Sequence, residues 1–231
     1  MKRYGWFSVV LVLCSFTSCG GYHFPWQYYN AESFIAYYLA GDIKARSLGE
    51  NCIELYWDTF DTKEYSYKSK GEEEEVYGEL CVKHNDLGYN ERKVDPKDLE
   101  TGDFTYRMVY WKDFVAIDVV GDRDFDTEHP AGSSLGDIVE YGGWSYWEYI
   151  KNNYTGYEEN HISGYINDLP EDGLCLIKDL FLYFNEVPES AVGEHNLTIT
   201  LTADDETVFV LDCPIELKTI DEEDKFWQYY Q

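Results

Sequence analysis

Residues 195–217 read HNLTITLTADDETVFVLDCPIEL. Leu197, Ile199 and Leu201 alternate with Asn196, Thr198, Thr200 and Thr202, the period-two pattern of a half-buried strand. Ala203-Asp204-Asp205-Glu206 is a turn. The chain returns through residues 207–211 and, past Pro214, through Ile215-Glu216-Leu217. Upstream, residues 180–184 are apolar and aromatic. Residues 104–111 (FTYRMVYW) and 114–120 (FVAIDVV) read as two strands joined by a tight turn at Lys112-Asp113. Short alternating strands with turn residues at this spacing predict a mainly β fold. The expected form is an immunoglobulin-like antiparallel β-sandwich with one or two short helices.

The N-terminal half gives a second set of β signals. Residues 33–39 (SFIAYYL) and 52–57 (CIELYW) read as strands, and Tyr65 and Tyr67 sit in an alternating stretch. Residues 71–75 (GEEEE) read as an acidic loop tip, after which residues 76–82 (VYGELCV) resume as hairpin material. Residues 84–102 are polar, with Asn90 and Pro96, and read as a loop. Two short helices are expected. Ser134-x-x-Asp137 resembles a capping box opening residues 135–141, and Ser145-x-x-Glu148 one opening residues 146–152. The expected organisation is a β-rich globular body over 32–217, subdividing near residue 121, followed by an acidic and aromatic segment over 218–231. Trp26-Gln27-Tyr28-Tyr29 recurs as Trp227-Gln228-Tyr229-Tyr230, and both copies are expected to pack against the body.

Residues 1–18 read as an export signal. Lys2 and Arg3 precede an apolar run over residues 7–16 (FSVVLVLCSF). That run is shorter than the about 20 apolar residues a transmembrane helix needs and has the layout of a secretory signal. It ends in Phe16-Thr17-Ser18-Cys19-Gly20. A small residue before cysteine resembles the lipobox of bacterial lipoproteins. The resemblance implies cleavage before Cys19, a diacylglyceryl group on its thiol and acylation of its amine. Cys14 follows Leu13, which is too large for the cleavage position. Two or more acyl chains hold a protein at a membrane where one binds reversibly. Residues 19–31 then form a lipidated tether, and no other stretch is apolar enough to span a bilayer.

Removing residues 1–18 leaves 213 residues in which 16 basic side chains face 45 acidic ones, a formal charge of −29. Such a charge excludes nucleic-acid binding, which needs a basic surface, and opposes an electrostatic hold on anionic lipid. A content of 44% hydrophobic and 18% aromatic residues is ample for a packed core rather than a disordered chain. Cys52, Cys81, Cys175 and Cys213 allow three disulfide pairings. Local pairing of Cys52 with Cys81 and of Cys175 with Cys213 is narrowly preferred over free buried thiols. No C-x-x-C or Cys/His cluster points to zinc, and no motif calls for a cofactor.

The segment 121–141, GDRDFDTEHPAGSSLGDIVEY, together with the lipobox and the C-terminal strand set, resembles uncharacterised cell-envelope lipoproteins of Bacteroidetes. The resemblance implies an envelope role, with the outer membrane as the expected site and envelope proteins or glycans as expected partners. It brings no catalytic residues.

Several constellations bear on chemistry. Gly132-Ser133-Ser134-Leu135-Gly136 matches G-x-S-x-G, but no buried strand leads into it, so a loop and helix cap explain Ser134 better than a nucleophile. Asp122, Asp124, Asp126 and Glu128 alternate as the ligands of a calcium loop do. Thr127 and Ser133 stand where an EF-hand needs Gly and Glu, which leaves only a weak calcium candidate. His23, His84, His129, His161 and His195 are scattered and read as surface or turn residues. Tyr141, Trp144, Tyr146, Trp147 and Tyr149 form the best candidate for stacking on a ligand such as a sugar ring, with core packing as the competing account. The leading expectation is a membrane-anchored, non-enzymatic structural or interaction module. Carbohydrate binding through exposed aromatics is the alternative.

Overall fold

The computed structural model describes residues 32–49, 51–57, 62–89 and 107–219. The export signal, the tether, both WQYY copies and the acidic run at 221–224 lie outside the described residues. The described chain is mainly β, arranged as packed antiparallel sheets with two short helices. The strands are β1 (Tyr37–Ala40), β2 (Ile43–Gly49), β3 (Cys52–Trp57), β4 (Lys63–Ser66), β5 (Met108–Tyr110), β6 (Phe114–Gly121), β7 (Val139–Ser145), β8 (Asn160–Tyr165), β9 (Ile177–Phe184), β10 (Gly193–Ala203) and β11 (Val208–Leu217). The helices are α1 (Glu72–Lys83) and α2 (Trp147–Lys151).

A five-stranded sheet in the order β2-β3-β9-β7-β8 faces a three-stranded sheet in the order β11-β10-β6. Their inner faces share one core. Leu197, Ile199 and Leu201 from β10 meet Ile53 and Leu55 from β3 and Leu180 and Leu182 from β9, all at most 2% exposed. The β10–β11 hairpin is the one read from the sequence, closed by Ala203 N–H donating to Thr207 O at 2.8 Å. Pro214 stays within β11 opposite Asn196. It is tolerated because β11 is an edge of its sheet, where a missing N–H costs no ladder bond.

A third sheet, β4-β1-β5, pairs β1 antiparallel to β4 and parallel to β5. It packs with α1, α2 and the segment before β9 around a second core that holds Phe34, Tyr38, Leu80, Tyr146, Ile150 and Leu176. Trp111 touches both cores. Each core draws on residues from both sides of Gly121.

Three sequence expectations need correction. Residues 72–83 form helix α1 and not a loop tip with a strand. Tyr77, Leu80, Cys81 and the capping His84 fall at helical spacing and are all buried. The four glutamates occupy the first turn, where negative charge complements the helix dipole. Residues 135–141 form no helix. Ser134 Oγ accepts Gly136 N–H at 3.3 Å in a turn, and Val139 already begins β7, which is paired on both flanks. The Gly142-Gly143 pair that disfavours a helix suits a strand whose backbone must approach another closely. A Cβ on Gly143 would lie 1.9 Å from the Asp179 carbonyl oxygen. The second helix is present as α2, with Ser145 Oγ accepting Trp147 N–H at 2.9 Å.

The preferred disulfide pairings are the third correction: Cys52, Cys81, Cys175 and Cys213 are all buried, and no disulfide joins them to one another. Cys81 and Cys175 belong to the second core and Cys213 to the first, while Cys52 sits in β3. Neither preferred pair shares a core. Burial pushes the Cys81 and Cys213 thiols up to about 11. Burial and Asp113 push Cys175 up to about 12. All three are therefore protonated and unreactive at neutral pH.

Candidate functional site

The five aromatic residues singled out in the sequence do not form one surface. Side chains alternate along β7, so Tyr141 enters the first core while Trp144 lies on the opposite face. Tyr146 and Tyr149 are buried in the second core, with ring centroids 5.6 and 4.8 Å from that of Phe34. Trp144 and Trp147 are half-buried in different surroundings. Trp144 meets His161 edge to face at 5.5 Å. The Trp147 indole N–H donates to Asp172 at 3.4 Å, and the Lys151 ammonium stands 5.6 Å from its ring.

The acidic segment 122–128 is a loop shaped by its own carboxylates. Asp122 accepts the backbone and side-chain N–H groups of Asn196, both at 2.9 Å. Asp124 accepts Ala131 N–H at 2.8 Å. Asp126 Oδ1 accepts the backbone N–H of Glu128 and of His129 and meets His129 Nδ1, each at 2.8 Å. These oxygens point to different parts of the chain. Among the described residues, no three acidic, histidine or cysteine side chains are placed to hold a metal ion. Ser134 Oγ donates to Asp118 at 2.6 Å, and no histidine among the described residues hydrogen-bonds it. A Cβ on Gly136 would fall 2.1 Å from Asn167 Oδ1. The G-x-S-x-G match therefore reflects a turn and a close approach, not a nucleophile.

Three of the histidines are buried rather than on the surface: His84, His129 and His195 are at most 8% exposed. His84 Nδ1 lies 2.9 Å from the Leu80 carbonyl and 3.1 Å from Tyr38 Oη, and its Nε2 lies 2.9 Å from Asp113. Lys83 reaches Asp113 at 2.6 Å and Asp204 at 2.8 Å. Burial acts to raise the Asp113 carboxyl, but the His84 and Lys83 contacts outweigh it and hold the group below the ordinary carboxylate value. This network ties α1 to the β5–β6 turn and to the β10–β11 hairpin. Its centre, His84 and Asp113, is buried, while Lys83 and Asp204 reach the surface. Asp86 plays a similar part nearby, accepting Phe34 N–H, Ile35 N–H and the Tyr154 hydroxyl at 2.7, 2.8 and 2.9 Å.

Concave surface offers the remaining candidates. A cavity of about 570 Å³ lies between Phe125, Ile138, Tyr165 and Pro188. Three of its four acids are engaged: Asp126 and Asp137 hold His129, and Glu140 accepts the Tyr183 hydroxyl and the Asn185 amide, while Glu186 is exposed at the rim. A cavity of about 290 Å³ is lined by Trp147 and the Lys151–Asp172 pair.

Two further clefts, about 190 and 210 Å³, share Trp57, Lys178 and Asp179 and open at the seam between the five-stranded sheet and the β4-β1-β5 sheet. The seam has a topological cause. Strand β3 pairs with β9 only where Cys52–Leu55 face Leu180–Tyr183. Beyond Leu55 the chain leaves toward β4, which belongs to the other sheet, and the strands splay. Trp57 stacks on Tyr110 with ring centroids 5.7 Å apart, and Tyr56, Glu54 and Phe181 line the first cleft.

The charges of the seam are unevenly matched. Glu54 holds Arg46 at 2.5 Å, and Lys178 holds Glu159 at 2.9 Å. Asp179, half-buried, has no hydrogen bond and no ion pair among the described residues. Burial, reinforced by Glu159 and Glu54, pushes its carboxyl above the ordinary value against the pull of Lys178. No local pattern of residues marks this site. Trp57 and Asp179 are 122 positions apart, and only the β3–β9 register brings them together.

Comparison with protein-family models, with curated proteins and with solved structures finds no match to this chain.

Proposed function

We propose that this chain is a lipid-anchored cell-envelope protein, held at the outer membrane through Cys19, whose β-rich body works as a non-enzymatic structural or interaction module. The observation that carries this reading is the lipobox-like Phe16-Thr17-Ser18-Cys19-Gly20 at the end of a short apolar run. The body is built from packed sheets with internally satisfied buried networks, which suits a rigid platform more than a mobile one. A formal charge of −29 after loss of residues 1–18 keeps such a body soluble and off anionic headgroups. Metabolic labelling with palmitate in a Gram-negative host tests the anchor. The full chain incorporates label and loses its first eighteen residues; Cys14→Ala behaves in the same way; Cys19→Ala takes up no label. Label retained by Cys19→Ala contradicts the reading.

A second reading, carbohydrate binding, is favoured by one observation: the seam crevice sets aromatic rings beside an unpaired carboxylate. The crevice replaces the Trp144–Tyr149 region as the place to look for such binding, since Tyr146 and Tyr149 are in the core.

A further inference from the structure

We propose that the crevice at the sheet seam, walled by Tyr56, Trp57 and Phe181 and containing Asp179, binds a neutral, hydroxyl-rich ring, that is, a sugar residue of a larger glycan. The inference rests on the carbohydrate reading above and is independent of the lipid anchor.

The site has three properties that a sugar subsite needs. It is concave: two adjoining clefts of about 190 and 210 Å³ meet at Trp57 and Asp179. Each is smaller than the roughly 300–1,000 Å³ of a drug-sized pocket, and together they fall within that range, so one or two rings fit where a large ligand would not. It offers an apolar wall held in place, because the Trp57 indole is stacked on Tyr110 and packs against the first core. A rigid aromatic surface is apolar enough for the C–H face of a sugar ring and costs little side-chain freedom on binding. It also holds an acceptor with nothing to accept. Among the described residues Asp179 has no donor; of the other acids at the seam, Glu54 and Glu159 are paired with Arg46 and Lys178, and Glu64, which lines the second cleft, is exposed to solvent. A half-buried carboxylate without donors gains more from a ligand hydroxyl than an exposed one does.

The same residues argue against a cationic ligand, which the acid excess would otherwise favour. Lys178 lines both clefts, so an ammonium bound at Asp179 would sit beside a fixed positive charge. The Arg46 guanidinium already lies 4.8 Å from the Tyr56 ring centroid, in the position a cation would take over that ring. A neutral polyol meets neither obstacle.

The test is titration of the full-length protein, in detergent, with maltohexaose, mannohexaose, xylohexaose and chitohexaose, followed by tryptophan fluorescence and calorimetry, with spermidine as the cationic comparator. The proposal expects at least one of the four oligosaccharides to bind and to perturb tryptophan emission. It expects Asp179→Asn to weaken that binding about tenfold or more. Phe181→Ala weakens it as well, while Val210→Ala, on the outer face of the other sheet, leaves it unchanged. Unchanged near-ultraviolet circular dichroism in Asp179→Asn shows that the fold is kept, and the milder Asp179→Glu provides the same comparison if Asn disturbs it. Three results overturn the proposal: no oligosaccharide binds, binding is indifferent to Asp179 and Phe181, or spermidine binds while the sugars do not. None of these touches the lipid-anchor reading, which fails only with the labelling of Cys19.

Discussion

The imidazole Nε2 of His84 lies 2.9 Å from an oxygen of Asp113, with both side chains at most 5% exposed. The two come from the end of α1 and from the turn before β6, so the contact fixes the helix against the sandwich. Removing one partner leaves a buried polar group without its hydrogen bond, at a cost of about 1–3 kcal/mol. Asp113→Ala is therefore expected to lower the free energy of unfolding, measured with urea, by that order, and His84→Ala to be non-additive with it in a double-mutant cycle. Fully additive losses would show that the pair is not coupled.

The pH dependence of this pair has a definite sign. The Asp113 carboxyl is depressed in the folded state, so its contribution is present above the ordinary aspartate value and is lost as pH falls through the lower folded value. Acid unfolding of the wild type is expected to steepen below about pH 4. Asp113→Asn should flatten that part of the profile. An unchanged acid limb in Asp113→Asn would contradict the assignment.

His129 acts in the opposite direction. Its two ring nitrogens meet Asp126 at 2.8 Å and Asp137 at 3.1 Å. Burial lowers its basicity, but the two carboxylates outweigh that effect and raise it above the ordinary histidine value. The clasp is complete below about pH 6.5 and loosens as pH rises through the raised folded value. The Tm difference between wild type and His129→Gln should be widest near pH 5.5 and should shrink toward about pH 9. A difference that is constant across this window would show that His129 stabilises by packing alone.

How far the sequence could be read depends on what kind of information each feature needs. The β10–β11 hairpin was legible because its alternation is local and its turn is marked by Asp204-Asp205. Helix α1 was not, because VYGELCV satisfies both a period of two and a period of 3.6 over seven residues. Only burial of Tyr77, Leu80, Cys81 and His84 on one side decides between them. Strands β2 and β8 carry charged and polar residues in sequences such as IKARSLG and NHISGY, so their β character comes from pairing in the sheet. The aromatic run 141–149 was visible as a cluster, but its division between two cores follows from the β7 pleat and the start of α2. The seam crevice was invisible for the same reason, since it depends on where β3 stops pairing with β9.

Gly143 gives a sharp test of that sheet geometry. Its missing Cβ would stand 1.9 Å from the Asp179 carbonyl oxygen and 2.9 Å from its carbon, and backbone cannot move aside as a flexible side chain can. Gly143→Ala is expected to destabilise by about 1–3 kcal/mol or more, as overpacking does, measured by urea unfolding. Stability equal to wild type would mean that β7 and β9 are farther apart than described.

The four buried cysteines make a further prediction. Reductant should leave Tm and gel mobility unchanged, and a thiol reagent should label Cys52, Cys81, Cys175 and Cys213 only after unfolding, since all four are buried. A mobility shift on reduction would establish a disulfide and contradict the packing of the two cores.

The most direct test of the account as a whole is the mass of the N-terminal peptide of the mature protein, extracted from membranes of an expressing bacterium. The account predicts a chain that begins at Cys19 and carries a diacylglyceryl group on the thiol and an acyl chain on the amine. A mature chain that begins elsewhere, or a Cys19 with an unmodified thiol, would contradict it.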